Sequence, residues 1–208
     1  MHLLFDFDGT LINSFSFVIE KANHLADEFH FKKIQDHEIE SFRDLSSKEL
    51  IQHLGIPLYK IPSLIHRMRQ AVRHDIKNMP PTANIYQVLE SLYQAKYTLG
   101  ILTSNSKENV TTWLTHHHMQ HFFRFIHTES SFFSKKHLLK KTLKSYHIDT
   151  ASTCYIGDET RDIDAAKQNH IRSMAVTWGY NSEKALIKHE PTYLAHQAED
   201  ILILHHDC

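Results

Sequence analysis

The sequence predicts an α/β fold, a doubly wound parallel sheet carrying an inserted helical domain, on three observations. Apolar runs near residues 2–7, 97–103, 123–127, 153–157 and 172–177 alternate with stretches of helical periodicity, the order expected of a parallel sheet covered on both faces. Residues from about 15 to 80 break that alternation and contain no convincing strand. Acidic and hydroxyl residues recur just past the ends of the apolar runs, where open α/β sheets collect their sites.

The first run, Leu3-Leu4-Phe5, leads into Asp6-Phe7-Asp8-Gly9-Thr10-Leu11. Two carboxylates separated by one residue at the end of a buried strand can serve one metal ion and one phosphoryl group together. A helix-loop-helix calcium site begins with the same spacing but needs glycine at its sixth position and glutamate at its twelfth. Counted from Asp6 those places hold Leu11 and Phe17, which excludes it. A plain Asp-Gly chain reversal is the simpler alternative for Asp8 and Gly9.

The next block reads as four helices, Phe15 to Phe31, His37 to Asp44, Ser47 to Leu54 and Ile61 to Lys77, closed by Pro80-Pro81. The division that follows is a core of residues 1–14 and 81–208 with residues 15–80 inserted. Tyr97 to Leu102 then form an apolar strand ending in Thr103-Ser104-Asn105-Ser106. Hydroxyls and backbone N–H groups of such a turn cradle phosphoryl oxygens. They equally cap a following helix, a task that suits Ser106. Leu138 to Tyr146 is a further helix, entered through Phe132-Phe133-Ser134-Lys135-Lys136.

Tyr155-Ile156-Gly157-Asp158-Glu159-Thr160-Arg161-Asp162 reads as strand, tight turn and helix start. Asp158 is a possible N-cap of that helix. Asp162, four residues on, repels it across the same face, an arrangement easier to understand beside a cation.

Together these segments resemble the motifs of the haloacid dehalogenase-like hydrolases, most of which are phosphatases, and the resemblance runs nearly the whole length. With Val176-Thr177-Trp178-Gly179-Tyr180 it is similar to the phosphoglycolate phosphatase-like branch. The resemblance implies a Rossmann-like core with a helical cap over bound ester. It implies Asp6 as the nucleophile that becomes an aspartyl phosphate and Asp8 as the proton shuttle. Mg²⁺ would be bound by Asp6, Asp158 and the backbone carbonyl of Asp8, with Asp162 in its outer surroundings. Thr103 is the implied phosphoryl-binding hydroxyl, with Ser104 the competitor one residue away and Asn105 beside it. Lys135, or Lys136, is the implied lysine, although the proline that commonly follows that lysine is absent here. Arg43 and Lys48 are the cap cations that are candidates for substrate contact, a solvated surface role being the alternative for each. The expected activity is Mg²⁺-dependent hydrolysis of a small phosphate monoester, phosphoglycolate-like or a sugar phosphate. A phosphomutase of the same fold and a non-catalytic binding protein are the alternatives.

Composition agrees with a small soluble substrate. The chain has 208 residues, 41% of them hydrophobic, and a formal net charge of -1, so no overall field recruits nucleic acid or anionic membrane. Glycines stand only at 9, 55, 100, 157 and 179, which excludes a glycine-rich nucleotide loop. Asp6 and Asp8 interrupt the N-terminal apolar run, so neither a targeting segment nor a membrane span is expected. Cys154 and Cys208 form no disulfide framework, and a cytoplasmic monomer or weak homodimer is the simplest expectation. Of 19 histidines, His117 and His121 are four apart on a plausible helix, the spacing of two zinc ligands, but no acidic or cysteine partner adjoins them. The tail His205-His206-Asp207-Cys208 is able to bind stray metal without catalytic context.

Overall fold

The computed structural model describes residues 1–128 and 135–205. Among the described residues six parallel strands form one sheet: β1 (His2–Phe5), β2 (Thr98–Thr103), β3 (Phe123–Thr128), β4 (Thr153–Gly157), β5 (Arg172–Val176) and β6 (Tyr193–Ala195), in the order β3-β2-β1-β4-β5-β6. The helices are α1 (Phe15–Phe29), α2 (Ile39–Arg43), α3 (Ser47–His53), α4 (Ile61–Arg73), α5 (Ile85–Gln94), α6 (Lys107–His116), α7 (Lys135–Ser145), α8 (Thr160–Gln168) and α9 (Glu183–Lys188).

Period-two alternation along β1 sends Leu3 and Phe5 to one face and Leu4 to the other. Leu3 and Phe5 join Ile101, Ile156 and Met174 under α5 and α6. Leu4 joins Leu102 and Tyr155 under α7 and α8. Leu3, Leu4 and Phe5 are fully buried, each worth about 1.5–3 kcal/mol of apolar transfer. This central strand therefore anchors the sheet, and its end is the most constrained point at which to hang a reactive group.

Register carries that constraint to the neighbours. Phe5 lies opposite Ile101 of β2 on one side and Ile156 of β4 on the other, so the C-terminal ends of the three strands come level. The order reverses direction at β1, between β2 and β4, the switch point at which open α/β sheets form a crevice.

The inserted block is helical as expected, with ends that differ from the sequence reading. α1 stops at Phe29, because His30 turns left-handed and its N–H returns to Ala26 O. α2 is preceded by a 3-10 turn, Asp36–Glu38, and α4 ends at Arg73 before another, Ile76–Asn78. The start of α3 is locally encoded: Glu49 N–H donates to Ser46 Oγ at 3.3 Å, and Ser46 N–H donates back to Glu49 Oε2 at 2.8 Å. Along α4, Ile61, Leu64, Ile65, Met68 and Val72 recur at helical spacing on one stripe, and α4 packs against α1. The two crossings back to the core are stitched together, Asn13 N–H to Pro80 O and Thr82 N–H to Leu11 O, both at 2.9 Å.

β1 ends at Phe5 rather than continuing to residue 7, because Leu11 and Ile12 N–H groups both return to Phe7 O in a compact turn. β6 is a sixth strand that the sequence reading did not include. Among the described residues no helix is long and apolar enough to cross a membrane.

Candidate active site

The end of β1, the turns after β2 and β4, and the start of α7 converge on one buried cluster. Asp6, Asp158, Asp162 and Lys135 are each at most 6% exposed. Carboxylate oxygens of Asp6, Asp158 and Asp162 lie within 4.8 Å of one another, the one such group of metal-ligating residues among the described residues. Lys135 Nζ donates to Asp6 Oδ2 at 2.5 Å and also pairs with Asp162 Oδ1. Asp6 Oδ1 accepts from Phe7 N–H at 2.8 Å, which fixes the carboxylate plane from its own backbone.

Asp158 is the most tightly held of the set. Its Oδ1 accepts from Thr10 Oγ1 at 2.9 Å and its Oδ2 from Tyr180 N–H at 2.7 Å. The carboxylate sits against Gly9 and Gly179, and a Cβ on either would overlap it. Gly9 also has φ +76°, a conformation that a side chain would strain. Glycine in the Asp-Gly pair thus serves the turn and makes room for a partner 149 positions away. Asp158 is not the N-cap of α8. Glu159 takes that position, its N–H bonded to Asp162 Oδ2 at 3.0 Å.

Asp8 is half-buried at the edge of the cluster, and Asn105 Nδ2 donates to both its oxygens, at 3.2 and 3.0 Å. Asn105 is oriented in turn by Asn109 Nδ2 and Ser106 N–H, which donate to its Oδ1 at 3.0 and 2.8 Å. Thr103 is buried and its Oγ1 accepts from Asn105 N–H at 2.9 Å. Ser104 lines the neighbouring cavity while its carbonyl accepts from Arg69. Ser106 caps α6, its Oγ accepting from Asn109 N–H at 3.1 Å. Lys136 lies one position into α7 and takes no part in this cluster, whereas Lys135 points into it.

The charges do not balance. Five carboxyl groups, Asp6, Asp8, Asp158, Glu159 and Asp162, face Lys135 and Arg161, with Arg69 a third cation near Asp8. Burial raises Asp6 to about 7 against the pull of Lys135, with Asp162 adding to the rise. Burial and the nearby Asp6 carboxylate push Asp158 well above the ordinary range, and burial raises Asp8 against its Asn105 hydrogen bonds. Burial also acts on Glu159, but Arg161 and Lys135 overcome it and hold that carboxyl low. Surplus negative charge on hard oxygen donors fits a small divalent cation among Asp6, Asp158 and Asp162.

A cavity of about 310 Å³ opens from Asp6 and Asp8 into the helical insertion. Arg43, expected to meet substrate, joins the insertion to the core: its Nη2 donates to Thr177 O and Gly179 O at 3.2 and 3.1 Å, and it also borders the cavity. Asn181 Nδ2 reinforces the junction by donating to Arg43 O and Leu45 O at 3.0 and 2.8 Å. Lys48 is exposed and does not line the cavity. The histidine pair does not share a helix, because α6 ends at His116 and His118 turns left-handed. His117 packs on Trp113 instead, ring centroids 4.6 Å apart. Residues 129–134 of the approach to Lys135, and 206–208 of the histidine-containing tail, lie outside the described residues.

Sequence reasoning assigned no role to Thr10, Glu159, Arg161 or Tyr180. All four stand inside segments that drew attention for their aspartates or for the family resemblance, so the available signal was proximity in sequence to a charged turn.

The haloacid dehalogenase-like hydrolase model matches residues 3–176. A phosphoglycolate phosphatase of Synechococcus elongatus is 28% identical over 200 residues, covering 96% of this chain and 94% of that protein. Pyrophosphatase PpaX of Bacillus pumilus is 24% identical, covering 97% and 94%. The solved structure of a predicted phosphatase from Clostridium acetobutylicum superposes with a TM-score of 0.86 at 19% identity, covering 100% of this chain and 98% of that one. The motif order, the strand order with its cluster at the switch point, and a family match across most of the length agree: the chain belongs to the haloacid dehalogenase-like hydrolases, as one of their phosphatases.

Proposed function

We propose that the protein is a Mg²⁺-dependent phosphomonoesterase that works through a phosphorylated Asp6 on a small phosphate ester. The observation that carries this reading is the pairing of one buried lysine with both Asp6 and Asp162, while Asp8 is held separately by Asn105. A nucleophile and a proton carrier need different environments, and these two carboxyls have them.

Asp6 Oδ attacks phosphorus as the ester P–O bond breaks. The departing alkoxide takes its proton from Asp8. Water then gives a proton to Asp8 and attacks the same phosphorus, the Asp6–phosphorus bond breaks, and inorganic phosphate leaves with the starting carboxylate restored. Lys135 and the Thr103 hydroxyl hold phosphoryl oxygens, with Ser104 the neighbouring candidate for that contact. Asp6, Asp158 and the backbone carbonyl of Asp8 would hold Mg²⁺, with Asp162 steadying Lys135 behind them. The bound ion supplies charge neutralisation and polarises the phosphoryl group. Residues 15–80 act as the cap and residues 1–14 with 81–208 as the catalytic core. Near-neutral net charge supports a small-molecule substrate rather than nucleic acid or a membrane, and two cysteines without a disulfide framework support a cytoplasmic protein, taken as a monomer or weak homodimer.

The test is phosphate release from a panel of esters, including phosphoglycolate and sugar phosphates, with and without Mg²⁺, for the native chain and Asp6→Asn. Release that needs the ion and disappears in the variant supports the reading. Appreciable turnover by Asp6→Asn would overturn the nucleophile, and isomerised ester in place of free phosphate would reassign the protein as a mutase.

A further inference from the structure

The cavity behind the aspartates has an unusual wall. Apart from the reacting end, it is built from the facing sides of α1, α2, α3 and α4, with Ile19, Phe42, Leu50, Ile65 and Met68 among its lining. Ile19, Leu50, Ile65 and Met68 are only half-buried although they belong to the interior of the insertion, because they face this space.

Most polar groups on the wall are engaged with the protein, Arg43 Nε at its edge being a buried donor without a hydrogen-bond partner among the described residues. Arg43 is bonded to the carbonyls of Thr177 and Gly179, Arg69 to the carbonyl of Ser104, and Arg161 to the Glu159 carboxylate. Ser47 Oγ donates to Glu159 Oε2 at 2.8 Å, Asn181 bonds the carbonyls of Arg43 and Leu45, and Tyr180 Oη meets Ser14 Oγ at 3.0 Å. A glycolate carboxylate or a sugar's hydroxyls placed beside Leu50, Ile65 and Met68 would lose their water with no polar partner there, among the described residues, to replace it. An apolar group meets no such cost. Cavities lined by Leu, Ile and Phe stay dry and take up apolar molecules even at about half this volume.

We propose that the cap selects a phosphate monoester whose alcohol portion is apolar, its phosphoryl group at Asp6 and its hydrocarbon in the space bounded by Leu50, Ile65 and Met68. This rests on the phosphomonoesterase reading and narrows its substrate class from the phosphoglycolate-like or sugar esters to alkyl or similarly nonpolar esters.

The test compares linear alkyl phosphates from ethyl to hexyl with phosphoglycolate and glucose 6-phosphate under one Mg²⁺ condition. A buried methylene contributes about 0.8 kcal/mol, which corresponds to roughly fourfold per carbon. The expected result is kcat/KM rising two- to fourfold per methylene over the first several carbons, with phosphoglycolate below butyl phosphate. Affinity for the matching alkylphosphonates, measured by calorimetry, rises in parallel. Leu50→Gln lowers the hexyl-to-ethyl ratio at least fivefold. Should that variant fail to fold, the native series decides alone. A flat or falling series, or phosphoglycolate preferred over butyl phosphate, overturns the apolar assignment and leaves the phosphatase standing. No phosphate from any ester, together with alkylphosphonate binding that is absent or independent of length, overturns both.

Discussion

Lys135 Nζ lies 2.5 Å from Asp6 Oδ2 and pairs through the same ammonium with Asp162, so one buried cation is shared by a carboxylate at the end of β1 and one in the first turn of α8. Both acids raise its proton affinity and outweigh the opposing effect of burial. The lysine is therefore charged at any working pH, a fixed positive group rather than a proton donor in the reaction. Lys135→Met removes it and leaves two buried carboxylates facing each other. Expected are a loss of about 10²–10³ in kcat and a destabilisation of about 3–5 kcal/mol in chelator, smaller in Mg²⁺. Urea denaturation with and without the ion, beside steady-state kinetics, checks both. A variant with near-native kcat would remove Lys135 from the machinery.

Stability of the ion-free protein should fall as pH rises. Asp6 goes from an ordinary 3.8 to about 7 on folding, and Asp8 and Asp158 are raised by the same cause. A carboxyl raised in the folded state contributes stability that is complete below its unfolded value and lost as pH climbs through its folded one. The window for Asp6 is thus about pH 4 to about pH 7. In chelator the melting temperature is expected to drop across that window, and the rise produced by Mg²⁺ to be larger near pH 8 than near pH 5, because the ion must displace protons at low pH. Calorimetric melts at matched ionic strength read this directly. An ion-induced rise independent of pH would contradict it.

The parts of this molecule that were legible in the sequence are those encoded locally. The Asp6 and Asp158 turns follow apolar runs long enough to read as strands, and Ser46 with Glu49 announces a helix start. β6 was not legible, because Tyr193-Leu194-Ala195 is too short for alternation to register and follows directly on Pro191-Thr192. The bonds that tie Asp8 to Asn105 and Asp158 to Thr10 cross 97 and 148 positions, and no local periodicity records them. Arg43 illustrates the same limit from the other side. Its charge was visible, but its anchoring to the carbonyls of Thr177 and Gly179 exists only once the insertion folds over the sheet.

That anchoring leads to a prediction about the cap. Ser182 N–H donates to Arg43 O at 2.8 Å, so backbone and guanidinium both fasten the end of α2 to the loop after β5. Arg43→Ala keeps the backbone bond and loses the forked one. Amide exchange across residues 36–60 is expected to accelerate while the sheet stays protected, with kcat/KM down about tenfold through misplacement of the cap. Equal exchange in both proteins would leave Arg43 with a role in substrate contact alone.

Asn105 offers a test of how Asp8 is tuned. Its hydrogen bonds favour the ionised carboxyl against the burial that raises it, so Asn105→Ala should raise Asp8 further. If protonated Asp8 supplies the leaving group's proton, activity at high pH is limited by loss of that proton. The descending limb of the pH–rate profile should then move to higher pH, while kcat at its maximum falls about 10–100-fold because the carboxyl is no longer oriented. A limb that stays in place would assign it to another group.

Gly9 joins backbone conformation to the placement of the Asp158 carboxylate. A methyl at this position would overlap the Asp158 carboxylate and the Tyr180 ring, and φ +76° adds strain of about 1–2 kcal/mol for any side chain. Asp158 has little freedom to yield, since Thr10 and the Tyr180 backbone hold both its oxygens. Gly9→Ala must therefore move the turn or the carboxylate, and either displaces relative to Asp6 the oxygens proposed to hold Mg²⁺. The expected outcome is a melting temperature lowered in chelator and Mg²⁺ affinity weakened about 10–100-fold, with kcat partly recovered at saturating Mg²⁺. Titration calorimetry separates this from simple unfolding. A variant that melts lower but binds Mg²⁺ as tightly as the native chain would show that Gly9 serves the turn alone and that Asp158 is not the ion's ligand.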